Sequence, residues 1–276
     1  MMKLIADSSA NLTMLEGVTY QSVPMTIRAG ERDFVDDETL DTHELLDYLA
    51  AHNGKSGTAC PSLDSWLKAF EGANEIFVIT ITSSLSGTCA SAMAARDVYL
   101  QSHPEVKIHV FDTLSTGPEM QLLAEKLAEL HAKGLPFDVI CEKGREYLAT
   151  TRIFFSLKSL HNLAQNGRVS KIAAGAIGIL GIQILATASL EGTIQPVEKC
   201  RGENKTRAAM LQSILNAGYR GGKVRIHHAE NPEAARALAA SLRGHFPKAD
   251  IEIRPCRGLC SYYAERGGVI VAFEMA

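Results

Sequence analysis

The segment from Glu75 to Ala92, EIFVITITSSLSGTCASA, constrains the fold of this chain more than any other. Its apolar and β-branched run, Ile76–Thr82, predicts a buried strand. A turn rich in Ser, Gly and Thr follows at Ser83–Thr88, and small residues then open a helix predicted to reach Leu100. The first N–H groups of a helix have no partner, and the helix dipole favours negative charge there. The segment therefore predicts an anion site beside a strand end.

The same order of strand, polar turn and helix occurs elsewhere in the first half of the chain. Lys3–Ala6 runs into Asp7–Ser9, and a strand from Lys107 runs into Asp112–Thr116. Repeated units of this kind predict an open parallel sheet, in which ligands lie outside the carboxyl ends of the strands. We therefore expect these two turns and the Ser83–Thr88 turn to converge on one crevice.

The second half, which starts near Thr151, combines a hairpin signal at Glu191-Gly192 with further strand and helix units. The sequence thus predicts an α/β fold of two α/β domains. An N-terminal domain with a parallel sheet would span residues 1–150, and a C-terminal domain with a mixed sheet would span residues 151–276.

Three segments have weaker patterns. Val18–Ile27 is predicted to be extended, with Pro24 at an edge or a break. Gly57–Ser62 is a loop by composition, and Ser62 is expected to cap the following helix. Ile172–Ile184 is predicted to be a helix despite its glycines, with small residues in close contact with another backbone.

Composition excludes several classes of protein. The chain has 276 residues, of which 46% are apolar, and a net charge of −3 without a long basic block, which argues against nucleic acid as the main partner. No run has the length of a spanning helix, and the N-terminus lacks the pattern of a secretory signal. Six scattered cysteines are expected to stay reduced in the cytoplasm, and the Cys256/Cys260 pair lacks the second pair of a structural zinc site. We therefore expect no metal.

Ser86 has three interpretations. It caps the helix, it donates to the carboxylate or phosphate of a ligand, or it is a nucleophile on a strand-to-helix elbow. The elbow motif G-x-S-x-G is absent, because Ser84 and Thr88 occupy the glycine positions. Thr58 has no evident capping role, and the pattern of residues alone leaves its role open. Asp7 is expected to form an Asx turn.

An enzymatic alternative also uses Ser86. A serine-dependent acyl hydrolase needs a histidine base oriented by a carboxylate, and His227 or His228 would have to supply the base. A nucleotide-binding domain would need a glycine-rich phosphate loop, and neither G-x-G-x-x-G nor G-x4-G-K-[ST] occurs.

Five short motifs follow one another along the chain, at Asp7–Leu12, Gly57–Ser62, Ser83–Ala92, Asn166–Val169 and Lys199–Gly202. Their order and spacing resemble the DegV family from end to end.

The resemblance implies that a long-chain fatty acid lies in a tunnel between the two domains and is the only ligand, without a cofactor. Thr58 and Ser86 would hold the carboxylate, with the backbone of Gly87 and Thr88 nearby. The bacterial family members are non-catalytic acyl-binding subunits that present the carboxylate to a separate ATP-dependent kinase, whose acyl phosphate serves phospholipid synthesis. Arg168 and Arg201 would lie on the surface that meets this kinase. Peripheral membrane contact for lipid exchange is also implied.

The chain departs from the family at its C-terminus. The family motif T-H-x-G-P-G, whose histidine bonds the carboxylate, is replaced by Tyr262–Gly267. Tyr263 would then take the place of the histidine, and its hydroxyl donates without carrying positive charge. The apolar side chains Phe154, Phe155 and Leu157, with small residues of 172–188, are expected to line the tunnel.

Overall fold

The computed structural model describes residues 1–169 and 181–275. These residues form two large sheets and a three-stranded sheet, with helices packed against them, which confirms the predicted α/β class. The predicted domain boundary after residue 150 stays a prediction. It falls between a helix that ends at Ala149 and a strand that begins at Thr151.

The first sheet is parallel throughout, in the strand order β2-β1-β6-β7. Its strands are β1 (Met2–Asp7), β2 (Thr19–Val23), β6 (Glu75–Thr80) and β7 (Lys107–Asp112). Leu4 lies opposite Phe77, and Val78 lies opposite Val110. The strand β1 is buried over its whole length because helices cover both faces of the sheet, as its continuous apolar run indicates.

Four helices cover this sheet, two on each face. They are α2 (Leu63–Phe70), α3 (Thr88–Ser102), α4 (Pro118–Ala132) and α5 (Phe137–Ala149). Trp66 of α2 packs in one core cluster with Val78, and Leu123 of α4 packs in another with Phe77. The second cluster also contains Ile153 from the other large sheet, so α4 lies between the two sheets.

The three-stranded sheet was not predicted. Its antiparallel strands are β3 (Thr26–Ala29), β4 (Arg32–Val35) and β5 (Ser56–Ala59), and α1 (Thr42–Ala51) connects the last two. Pro24 marks the break that was one of the two alternatives for the extended segment Val18–Ile27, because it separates β2 from β3, which belong to different sheets. The predicted loop Gly57–Ser62 is wrong for its first three residues, since Thr58 pairs with Ile27. Ser62 does cap α2 through the N–H of Ser65.

The second large sheet is mixed, as predicted, in the order β10-β9-β8-β13-β11-β12. Its strands are β8 (Thr151–Leu157), β9 (Ile182–Ala188), β10 (Ile194–Arg201), β11 (Tyr219–His228), β12 (Asp250–Pro255) and β13 (Val269–Met275). The described helices that follow β8 along the chain are α6 (His161–Gln165), α7 (Glu203–Asn216), α8 (Pro232–His245) and α9 (Gly258–Ala264). The prediction of a helix over Ile172–Ile184 lies mostly outside the described residues, and its last three residues belong to β9 instead.

The two faces of β8 have different surroundings. Ile153, Phe155 and Leu157 belong to the core cluster shared with the first sheet, whereas Phe154 belongs to the outer cluster beneath α7 and α8. Successive strand residues point to opposite faces. The expectation that Phe154 lines the tunnel is therefore wrong, because its neighbours on either side occupy the inner face.

Candidate ligand-binding cavity

An apolar cavity lies between the carboxyl edge of the first sheet and the inner face of the second. Its void, counted together with the solvent at its open mouth, is about 830 Å³. The first half of the chain contributes Met25, Ile81 and Leu85 to its walls, and the second half contributes Phe155, Leu157 and Ile270. The cavity thus lies where the sequence places the ligand, at strand ends and between the two halves.

Two predicted ligand contacts meet in the wall of this cavity. Thr58 Oγ1 lies 2.8 Å from Tyr263 Oη, and both residues line the cavity. Thr58 comes from the edge strand β5, and Tyr263 comes from α9, which sequence patterns did not predict. The sequence position assigned to the family histidine is therefore beside Thr58 in space. Both groups are neutral hydroxyls that can donate or accept.

Ser86 lines the same cavity from the turn that precedes α3. Its Oγ accepts the N–H of Thr88 at 3.3 Å and lies 2.8 Å from Thr88 Oγ1. Ser86 thus accepts one N–H at the start of α3, although the N-cap residue of that helix is Gly87. When Thr88 Oγ1 donates in this 2.8 Å contact, the proton of Ser86 is available to a second group.

Gly87 and Thr88 do not themselves belong to the described cavity lining. Thr88 is fully buried, and its amide is directed at Ser86 Oγ. Gly87 is exposed at the start of α3. Their direct contact with a ligand stays a prediction.

The Asp7 turn lies beneath the cavity rather than in it. Asp7 Oδ2 accepts the N–H of Ile81 at 2.7 Å, and Oδ1 accepts the N–H of Ser9 at 3.0 Å, which confirms the Asx turn. Burial raises the pKa of Asp7 to about 6. Of the three turns expected to converge, Ser83–Thr88 and Asp112–Thr116 contribute to the cavity wall, whereas Asp7–Ser9 supports the strand ends from below.

The two predicted partner-surface arginines have different surroundings. Arg168 is partly buried and lines the cavity, where its Nε donates to the carbonyl of Leu85 at 3.1 Å and its Nη1 donates to the carbonyl of Asn166. Arg201 is exposed at the end of β10 and does not line the cavity. Arg168 thus joins the Ser86 turn to the end of α6, while the contact of Arg201 with a partner stays a prediction.

The tip of the β9–β10 hairpin closes another part of the cavity. Thr82 Oγ1 donates to the carbonyl of Gly192 at 3.0 Å, and Ser84 Oγ donates to the carbonyl of Glu191. A Cβ at Gly192 would lie 2.2 Å from Thr82 Oγ1, and its φ is +77°. Only glycine fits this close approach in the left-handed conformation.

The residues required by the hydrolase alternative do not come together. Among the described residues, the hydrogen bonds of the Ser86 hydroxyl stay within its own turn. His227 is fully buried between Asn11 Nδ2 and Gln121 Oε1, each at 2.8 Å, and burial lowers its pKa to about 3. His228 Nδ1 accepts the N–H of Asn231. Neither histidine lines the cavity, so the expected nucleophile and base are not paired.

Metal ligation has no structural support in residues 1–169 and 181–275, where no cluster of three His, Cys, Asp or Glu side chains occurs. Cys260 lines the cavity and donates from its thiol to the carbonyl of Ser9 at 3.3 Å. Burial raises the pKa of Cys260 to about 12, which keeps it a thiol. The helices of these same residues include none with the length and apolar character needed to cross a bilayer.

Sequence reasoning missed the residues that link α9 and α6 to this site. Tyr262 is fully buried, and its hydroxyl contacts Ser56 and Asn166. Leu163, Leu259 and Ala264 complete the wall around Tyr263. The apolar spacing of Leu259, Tyr262 and Tyr263 was the available signal for a short helix, but Gly258 and Gly267 on either side obscured it.

Together, the two large sheets and the hydroxyl-bearing cavity between them define an α/β protein with a candidate ligand-binding site. The chain belongs to the DegV family, whose model, described as "Uncharacterised protein, DegV family", matches residues 1–275. The resemblance found in the sequence motifs is thus confirmed.

Three relatives illustrate this similarity. A DegV domain-containing protein of Streptococcus pneumoniae is 41% identical over 99% of both chains. A DegV family protein of Eubacterium eligens loaded with heptadecanoic acid is 46% identical, with a TM-score of 0.98 over 100% of both chains. The S. pneumoniae Fatty Acid Kinase (Fak) B3 protein loaded with linoleic acid is 40% identical, with a TM-score of 0.98 over 100% of this chain and 99% of that one.

Proposed function

We propose that this protein binds one long-chain fatty acid in the cavity between its two large sheets. The observation that carries this proposal is the cavity itself, whose apolar walls end at the hydroxyls of Thr58, Ser86 and Tyr263. The ligand found in the Eubacterium eligens and S. pneumoniae relatives is a fatty acid in each case, which supports the same class of ligand here.

The polar residues suit a carboxylate. A carboxylate removed from water needs several donors, since otherwise it takes up a proton. Ser86 donates while its Oγ is held by the N–H of Thr88, and Thr58 donates when Tyr263 Oη donates to Thr58 Oγ1. Gly87 and Thr88 add the positive end of α3 behind Ser86. Arg168 supplies the nearby positive charge at the cavity wall.

The hydrocarbon chain supplies most of the affinity in this proposal. Each methylene moved out of water contributes about 0.8 kcal/mol. Phe155, Leu157 and Ile270 provide an apolar surface on one side, and Ile81 and Leu85 provide it on the other. Both sheets therefore contact the hydrocarbon chain, and the ligand stabilises the association of the two sheets.

The protein carries out no chemistry of its own in this account but presents the carboxylate to a separate ATP-dependent kinase. Exposed Arg201 and rim residue Arg168 suit a phosphate-bearing partner, because a guanidinium binds phosphate in a fork. All six cysteines are free thiols, which supports a cytoplasmic location. Loading would occur by peripheral contact with a membrane.

Lipid analysis tests the binding proposal. Organic extraction of the purified protein, followed by mass spectrometry, should recover one long-chain acid per protein chain. Protein stripped of lipid should regain its melting temperature when oleic acid is added back, whereas methyl oleate should restore less. Repeated recovery of empty protein, together with no thermal response to long-chain acids, would contradict the proposal.

A further inference from the structure

Two consecutive tyrosines of α9 contact two hydroxyls on one face of β5. Tyr263 Oη lies 2.8 Å from Thr58 Oγ1, and Tyr262 Oη lies 2.8 Å from Ser56 Oγ. Residues two apart in a strand share a face, so the contacts lie side by side. The Tyr263 pair lines the cavity, whereas the Tyr262 pair lies outside the lining, with the Tyr262 side chain fully buried.

The outer pair belongs to a hydrogen-bond chain whose direction is fixed by its ends. Asn166 Nδ2 only donates, and it lies 2.8 Å from Tyr262 Oη. Gln165 Oε1 only accepts, and it lies 3.1 Å from Ser56 Oγ. The protons therefore point from Asn166 to Tyr262, from Tyr262 to Ser56 and from Ser56 to Gln165. Such chains strengthen each of their bonds.

Both ends of this hydrogen-bond chain come from α6 and the residue that follows it. The hydrogen bonds therefore hold β5 against the second half of the molecule at Ser56, two residues before Thr58. Gln165 Oε1 also accepts the backbone N–H of Ser56 at 3.2 Å. A Cβ at Gly57 would lie 3.1 Å from Asn166 Oδ1, which places the strand backbone directly against this amide. The carbonyl of Asn166 in turn accepts from Arg168.

We infer that Tyr262 is a positioning residue that sets Thr58 and thereby gives the cavity its selectivity for a free carboxylate over an uncharged head group. This inference rests on the proposed function. The ring of Tyr262 packs in the core, and its hydroxyl aligns β5 so that Thr58 directs its proton into the cavity. The apolar walls do not depend on this alignment.

The test compares oleic acid with oleyl alcohol, both delivered to lipid-free protein from cyclodextrin. In Tyr262→Phe the acid should bind about tenfold more weakly, the scale of one neutral hydrogen bond, while the alcohol changes less than about twofold. Tyr48→Phe is the matched control, because its hydroxyl also bonds within the small-sheet region, to the carbonyl of Ala29, but away from the cavity. It should leave the acid-to-alcohol ratio unchanged.

A second pair of variants tests the direction of the chain and covers a failure of Tyr262→Phe to fold. Asn166→Asp and Gln165→Glu each add one negative charge at neighbouring positions. The first replaces the donor with an acceptor, whereas the second keeps the acceptor that Ser56 requires. Asn166→Asp should lower the acid-to-alcohol ratio, and Gln165→Glu should retain it.

Two results with the variants would overturn the inference. The first is an unchanged acid-to-alcohol ratio in Tyr262→Phe, whether neither compound or both compounds equally lose affinity. The second is an equal acid-to-alcohol ratio in Asn166→Asp and Gln165→Glu, which would mean that the added negative charge, rather than the direction of the hydrogen bonds, changes binding. Wild-type protein that binds neither compound would contradict the proposed function itself and, with it, this inference. Wild-type protein that prefers the acid would support the proposed function, and the variants then test the role of Tyr262 separately.

Discussion

Thr58 Oγ1 and Tyr263 Oη, 2.8 Å apart, join the three-stranded sheet to α9 in the wall of the cavity. Neither group carries a charge, and Ser86 adds a third neutral hydroxyl to the wall. A carboxylate bound among them would keep its full charge only through donated hydrogen bonds and the nearby Arg168. Removing one donor should therefore affect ligand retention more than folding.

The Ser86 hydroxyl provides the first prediction. Ser86→Ala should weaken fatty-acid binding by about tenfold, because one donor is lost to a group with few alternatives. The melting temperature of the lipid-free protein should change little, since among the described residues the other bonds of the hydroxyl go only to Thr88, two residues along the chain. Isothermal titration of lipid-free protein with oleic acid measures the effect.

Ser83→Ala is the control for this prediction. Ser83 lies in the same turn but is exposed and does not line the cavity. It should bind oleic acid as the wild type does. Equal weakening in the two variants would mean that the turn, rather than the Ser86 hydroxyl, matters.

The two phenylalanines in the middle of β8 provide a second prediction. Phe155→Ala enlarges the cavity and should shift the set of acyl chains that co-purify, as seen by mass spectrometry. Phe154→Ala empties the outer core instead and should lower the free energy of unfolding by about 3–5 kcal/mol. Its acyl chains should match those of the wild type. An altered profile in Phe154→Ala alone would contradict the assignment of the two faces.

The regular part of this fold could be predicted from the sequence. The run at Ile76–Thr82 and the small residues after Ser86 specify a strand, a turn and a helix locally, and the repeat of that unit specifies a parallel sheet. Local patterns carry no such information for Ser56–Ala59, a short polar strand that exists because Thr58 pairs with Ile27. Tertiary pairing, rather than propensity, makes it a strand.

Three residues of the cavity wall could be predicted from the sequence, but their contacts could not. Family motifs pointed to Thr58, Ser86 and Tyr263, yet the Tyr262 hydrogen-bond chain depends on how α9 packs against β5. The apolar run of β8 likewise indicated a buried strand without fixing which face Phe154 occupies, because both faces of that strand are covered. Arg168 lies in the cavity wall because it donates to the carbonyl of Leu85 in the first half of the chain, a contact that no local pattern indicates.

A third prediction concerns the hairpin tip. Gly192→Ala places a Cβ 2.2 Å from Thr82 Oγ1 and should displace the tip from the Ser83–Thr88 turn. Beyond the cost of placing an alanine at positive φ, we expect the free energy of unfolding to fall by about 1–3 kcal/mol, which is the usual scale of overpacking. Gly72→Ala is the control, since Gly72 has φ +79° and nothing within 4 Å of the added atom. Chemical denaturation should separate the two, and equal losses would refute the close approach.

A fourth prediction follows from the buried carboxyl of Asp7. Its pKa rises from 3.8 to about 6 in the folded protein, so between these pH values the folded chain holds a proton that the unfolded chain releases. The associated stability is fully present below about pH 4 and is lost as the pH rises through 6. The melting temperature of the wild type should therefore fall more steeply from pH 4 to pH 6 than that of Asp7→Asn.

The absolute stability of Asp7→Asn is expected to be lower, because an amide cannot accept from both Ser9 and Ile81 as the carboxylate does. The slope of the melting temperature against pH is therefore the quantity that tests the prediction. Identical slopes for the two proteins over this pH range would show that Asp7 does not titrate as described.

A fifth prediction separates lipid binding from use by the kinase. Arg201→Ala should retain oleic acid with wild-type affinity, since the side chain is exposed and away from the cavity. Formation of acyl phosphate by a fatty-acid kinase, ATP and the loaded variant should fall about tenfold or more, the scale of a lost charge-assisted contact. Lys199→Ala, which removes a neighbouring exposed charge, is the control. Parallel loss of lipid binding in Arg201→Ala would contradict the proposed division of roles.

A crystal structure of the protein grown with heptadecanoic acid tests the central claim most directly. The account predicts one acyl chain between the two large sheets, with a carboxylate oxygen about 2.6–3.2 Å from both Thr58 Oγ1 and Ser86 Oγ. A chain whose carboxylate lies at the Gly192 side of the cavity, or a ligand bound outside the cavity, would contradict it.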